Sequence, residues 1–139
     1  TIAKELGIEL SINYSTSDSN YSNLISARVK AKNDIIFEGS VFNYNLPRLV
    51  NLMGYKMEVN LEGTLLFIQN DDVPGVVGKV GTILGKNKIN IGAYLLSQHS
   101  KEKLAFAVIR FDSPIDDTLI SELKDVEELK FVNQIQINT

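Results

Sequence analysis

The 139-residue sequence has no cysteine, no tryptophan, three prolines and a single histidine. Without cysteine it forms no disulfide, presents no thiol nucleophile and holds no thiolate-bound zinc or ordinary iron–sulfur cluster. His99 alone cannot supply a histidine metal site, and a Ser-His-Asp triad would have to rest on it. Basic charge is not in excess either: 14 Lys and Arg against 17 Asp and Glu give a formal charge of −3. That balance supplies neither the basic footprint of a nucleic-acid binder nor a polybasic membrane anchor. No apolar run approaches the ~18–20 residues of a membrane span, and no signal-peptide pattern is present. The chain starts Thr1-Ile2-Ala3-Lys4 rather than with methionine, which suggests an excerpt. What it does have is 44% apolar residues. At this length that is enough for a core burying roughly two-thirds of the unfolded surface.

The first sixty residues read as strands with almost no helix. Ile2 to Leu6 look like a helix end stopped at Gly7. Ile8, Leu10, Ile12 and Tyr14 alternate, the period of a half-buried strand. A polar turn follows at 15–20, then segments 24–32 and 35–43 reverse at Asn33-Asp34 as a hairpin. A second hairpin is expected from 48–52 and 55–59 around Gly54. Such a module has too few layers to bury both faces of its sheet.

Asn60-Leu61-Glu62-Gly63 is a polar break and the expected domain boundary, and beyond it the rhythm changes. Segment 64–68 is a continuous apolar strand. Asp72-Val73-Pro74-Gly75 has the chemistry of a helix start, an acceptor side chain and then proline in the first turn. Val76, Val77, Val80, Ile83 and Leu84 mark one helical face. Gly78, Gly81 and Gly85 form a bare stripe, despite the ~1 kcal/mol that each glycine costs a helix. The stripe allows two readings: close packing of helix on sheet, or close approach of a ligand or second chain. Strands at 89–98 and 103–111, a helix at 116–123 and a strand at 131–137 complete the order strand, helix, strand, strand, helix, strand. That is the α+β, ferredoxin-like βαββαβ plan.

RNA-binding modules share this plan, but Leu104, Ala105 and Ala107 stand where their signature needs glycine and stacking rings. Independent catalysis has little to stand on. Asp71-Asp72 is a lone acidic pair in a turn, and no phosphate-cradling or G-x-G-x-x-G glycine spacing occurs. The remaining reading is a small-molecule sensor. Free amides at the start of the first helix of the second module favour a carboxylate, and Asp72 beside them could accept an ammonium. Alternatively, Asp72 merely caps its own helix.

From Asn70-Asp71-Asp72-Val73-Pro74-Gly75 through Gly78-Lys79-Val80-Gly81-Thr82-Ile83-Leu84-Gly85 to Ile89-Asn90-Ile91, the chain resembles an ACT domain. More specifically, it resembles the C-terminal regulatory part of the phosphoglycerate dehydrogenase family. Ala3-Lys4-Glu5-Leu6-Gly7-Ile8, Tyr21-Ser22-Asn23-Leu24, Gly39-Ser40-Val41-Phe42 and Pro47-Arg48-Leu49-Val50 resemble the later half of that family's intervening, allosteric-substrate-binding domain. The resemblance implies a partial intervening domain over 1–62 and an ACT domain over 63–139. It also implies a cytoplasmic regulatory fragment with no catalytic site and no cofactor of its own, NAD belonging to absent catalytic domains. The implied effector is L-serine, bound between two ACT domains of a homodimer, within a possible tetramer of the parent enzyme; no nucleic acid and no membrane is involved. Carried over by position, Asn70 and Asp72 are side-chain ligands, Gly75 and Val76 offer backbone, and Asn90 comes from the partner chain. Arg48 matches one basic position of a second, anionic site and Lys56 lies near another, although both could be solvated surface residues. The regulatory domain of an iron–sulfur L-serine dehydratase and a free-standing ACT module are the alternatives.

Overall fold

Apolar alternation in the first half resolves into an antiparallel meander. The computed structural model describes residues 2–9, 11, 12, 14, 20–30, 34–99 and 101–138. After a short helix α1 (Ile2–Glu5), strands β1 (Ile25–Val29), β2 (Ile35–Phe42), β3 (Leu46–Leu52) and β4 (Tyr55–Asn60) pair in sequence order. Gly7, with φ +69°, ends α1 in the left-handed conformation expected of it. The strand expected over 8–14 is not seen among its described residues: 8, 9, 11, 12 and 14 lie outside any strand, and Tyr14 is 95% exposed. Alternation marks a strand only where a neighbouring strand and a second layer receive it. Leu10, residues 15–19 of the polar turn and 31–33 of the first reversal lie outside the described residues.

The second half forms β5 (Gly63–Asp71), α2 (Val76–Lys86), β6 (Ala93–Gln98), β7 (Leu104–Phe111), α3 (Asp117–Lys124) and β8 (Leu129–Ile137). Its sheet runs β6-β7-β5-β8, with β7 and β8 antiparallel to the central β5. This is the expected ferredoxin-like order. Two boundaries move. The strand expected from Ile89 starts only at Ala93, because Lys88 takes a left-handed φ of +57° and Ile89 and Ile91 pack into the core from a loop. Asp116 stands outside α3 as its cap, accepting from the Leu119 N–H at 2.8 Å. An ion pair from Lys79 on α2 to Glu128, just before β8, ties helix to sheet and holds that carboxyl below its usual range.

Period-two alternation gives each face of this sheet its own core. On one face Leu66, Ile68, Ala107 and Ile109 meet Val76, Val80 and Leu84 of α2 and Leu119 and Leu123 of α3. On the other, Leu65, Phe67, Phe106 and Val108 meet Leu49 of β3 and Tyr55, Met57 and Val59 of β4. Each buried Val, Leu, Ile, Phe or Met among them contributes ~1.5–3 kcal/mol by leaving water. The first module therefore finds its missing layer in the second sheet. At the junction Gly63 has φ +68°, and a Cβ there would stand 3.1 Å from the Phe111 carbonyl oxygen, so the crossover between sheets needs glycine.

Candidate functional site

The β5–α2 turn carries most of the expected effector residues. Asn70 lies in the central strand between Ala105 and Leu129, is 4% exposed, and donates through Nδ2 to the Asp71 carbonyl at 2.7 Å. Asp71 and Asp72 do not act as a pair. Lys130 Nζ lies 2.9 Å from Asp71 Oδ2, whereas Gln98 Nε2 donates to both oxygens of Asp72 at 2.9 Å. The Asp72 N–H also donates to the Lys103 carbonyl at 3.0 Å, which pins the turn.

Proline does not enter the first turn of α2 as expected. Pro74 and Gly75 form a turn before it, and Gly75 precedes the helix with a left-handed φ of +94°. No side chain caps α2, so Asp72 does not serve as its cap. The first-turn amides, which begin at the buried Val76, receive no side-chain cap from Gly75. An exposed carboxylate and an uncapped helix start therefore sit a few residues apart, opposite in charge preference.

Asn90 is not brought to this turn. It follows the far end of α2, whose eleven residues span about 16 Å, so it could join Asp72 only from another chain. Among the described residues a Cβ at Gly78, Gly81 or Gly85 would meet nothing within 4 Å, so helix–sheet packing is not the reason for the stripe. Val73, Val77 and Leu96 are exposed, and β6 is an edge strand.

Arg48 and Lys56 line different cavities. Lys56 borders one of about 230 Å3 beside Tyr21 and Glu38. Arg48 borders one of about 400 Å3 between the sheets, with Asn60, Ala93, Leu95 and Arg110. Sequence reasoning missed Arg110, whose place in an apolar alternating strand gave no signal. It pairs with Glu62, and its Nε is buried without a hydrogen-bond partner among the described residues. At Gly92 a Cβ would press on the Arg110 carbonyl oxygen at 3.3 Å and touch that Nε in ordinary contact at 3.6 Å.

Phe106 is 1% exposed between the sheets, so the aromatic strand offers no platform for bases. Among the described residues no group of three or more His, Asp or Glu could hold a metal ion. Nor is any helix among them long and apolar enough to cross a membrane.

The split βαβ sheet defines the class of fold, and residues 64–128 match the ACT domain family in sequence as well. Over nearly its whole length the chain is similar to the C-terminal region of D-3-phosphoglycerate dehydrogenases. That of Bacillus subtilis (strain 168) is 32% identical over 137 residues, covering 98% of this chain and 26% of the relative. That of Methanocaldococcus jannaschii is 27% identical over 137 residues, with the same coverage of 98% and 26%. D-3-phosphoglycerate dehydrogenase 2, chloroplastic, of Arabidopsis thaliana is 28% identical over 113 residues, 81% of this chain and 17% of the relative. The chain thus spans about a quarter or less of the length of these relatives.

Proposed function

We propose that this chain is the regulatory part of a phosphoglycerate dehydrogenase, in which 1–62 belong to an intervening domain and 63–139 sense L-serine. The parent enzyme oxidises 3-phosphoglycerate with NAD on domains outside this chain, and no catalytic group is assigned here. One observation carries the sensing role: the uncapped start of α2 beside the exposed Asp72 carboxylate. Helix-start amides suit the carboxylate of an amino acid, and Asp72 suits its ammonium. Asn70 and Gly75 shape the turn, and Asn90 of a second copy completes the polar shell. Two chains meeting along β6 and the glycine stripe of α2 bring that residue across. Serine then holds the two copies together, and the change in their geometry is what the catalytic domains sense.

Calorimetric titration of L-serine, with glycine and phenylalanine as comparisons, tests this reading. The unsubstituted chain is expected to bind serine, and Asp72→Ala to lose about ten-fold or more in affinity, the worth of a hydrogen bond to a charged group. Absence of serine binding by the unsubstituted chain would leave only the fold.

A second reading is favoured by the cavity between the sheets. Arg48 and Arg110 both border it, and the unbonded Arg110 Nε supports a place for an anion. We propose Arg48 with Arg110, rather than with Lys56, as the anionic site. Inorganic phosphate is expected to bind more weakly to Arg48→Ala and to Arg110→Gln, and as before to Lys56→Ala. Phosphate binding untouched by both arginine substitutions removes this site.

A further inference from the structure

The connection between β6 and β7, of which His99 and 101–103 are described, supplies none of the proposed effector ligands. Yet Asp72 grips it at both ends. Gln98, just before the connection, donates to both Asp72 oxygens at 2.9 Å, and Lys103, at its close, accepts the Asp72 N–H at 3.0 Å. The connection is also closed on itself: His99 Nδ1 accepts the Lys101 N–H at 3.3 Å.

Its other side leans on the first sheet through two side chains. The His99 ring lies 5.5 Å from the Tyr55 ring, edge-on, and its Nε2 is 3.4 Å from the position a Cβ on Gly54 would take. The Tyr55 hydroxyl donates to Glu102 Oε2 at 3.5 Å and accepts from Gln69 Nε2 at 3.5 Å. Tyr55 is 2% exposed and packs on Phe106 at the centre of the sandwich. One short segment therefore has a two-point hold on Asp72 and a two-point hold on the β3–β4 hairpin.

We propose that Gln98 is a positioning residue for Asp72, and that the β6–β7 connection relays the state of Asp72 to the Gly54–Tyr55 hairpin of the first sheet. A carboxylate has about four lone-pair sites, and Gln98 occupies one on each oxygen, which fixes the rotamer and leaves the outer sites open to an ammonium. An ion drawn to those sites pulls on Gln98 at the end of an edge strand. Because both ends of the connection are tied to the same residue, it moves as a unit. His99 and Glu102 then transmit the movement to a ring buried too tightly to absorb it by rotating. Coupling of this kind is reciprocal, so the hairpin also acts on the effector turn. The ligand-dependent half of the proposal rests on Asp72 being the effector carboxylate; the mechanical half does not.

Amide hydrogen exchange on the ligand-free 139-residue chain tests the mechanical half. The Gly54 N–H, bonded to Asn51 Oδ1 at 2.9 Å, is the reporter. Gln98→Leu and Asp72→Ala are each expected to speed its exchange by about three-fold or more, as local opening of the hairpin becomes easier. Asn87→Ala, at the opposite end of α2, is expected to leave it unchanged. A Gly54 rate untouched in both Gln98→Leu and Asp72→Ala, with circular dichroism intact, overturns the relay. In the calorimetric arm His99→Ala, which does not touch Asp72, is expected to weaken serine binding by about five-fold or more. Serine binding equal in His99→Ala and the unsubstituted chain also overturns it. Failure of the unsubstituted chain to bind serine overturns the serine reading alone, and the ligand-free rates still decide the relay.

Discussion

Asp116 and Asp72 are both acids placed just before a helix, and the structure gives them different work. Asp116 caps α3, its Oδ1 accepting from the Leu119 N–H at 2.8 Å. Replacing it by alanine strands that amide, and Asp116→Ala is expected to lower stability by ~1 kcal/mol in urea titrations. Asp72 makes no such bond, because Pro74 and the left-handed Gly75 intervene before α2 begins. The sequence suggests Asp72 as an acceptor ahead of its helix and places Asp116 inside the next one. What separates them is the backbone path between acid and helix, which local composition does not encode.

Among the elements, α2 is the one whose sequence conflicts most with its structure. Gly78, Gly81 and Gly85 weaken the helix, yet none of the three is needed for packing within the chain. Their proposed use lies outside it, in the approach of a second α2. Gly81→Gln places a good helix former where a Cβ meets nothing. It is expected to raise stability by roughly 0.5–1 kcal/mol in thermal or urea unfolding. In sedimentation it is expected to shift the chain toward monomer. Gain of stability without any change of association would detach the stripe from pairing. The stripe itself is legible in the sequence by its spacing. The space in front of it is not, because it depends on which helical face meets the sheet.

At the scale of the whole molecule, the two sheets share one core. Phe106 touches both, lying 5.4 Å from the Tyr55 ring of the first sheet and 6.3 Å from the Phe67 ring of the second. Phe106→Ala is expected to cost ~3–5 kcal/mol in urea unfolding, with circular dichroism and tyrosine fluorescence reporting one coincident transition. Separate transitions would mean that the sheets hold separate cores. The same sandwich explains why the first module reads as short of a layer: the layer is supplied from beyond residue 62. It also explains why Arg110 escaped sequence reasoning. Its cavity is walled by Arg48 and Asn60 from one sheet and by Ala93 and Leu95 from the other.

The sequence by itself determined the local grammar. Periodicity placed the βαββαβ order, the polar break at 60–63 and the glycine-marked helix, because side-chain spacing and turn chemistry act over a few residues. It also excluded every chemistry that needs cysteine or a cluster of histidines. Only the tertiary structure decided which layers meet. It buried Phe106 between sheets, left the glycine stripe facing open space, parted Lys56 from Arg48 and joined Arg110 to it. It also linked Asp72 through Gln98 to His99 and Tyr55. Such contacts join residues tens of positions apart, and burial is settled by the packing of whole faces. That packing belongs to the folded chain and to no single stretch of it.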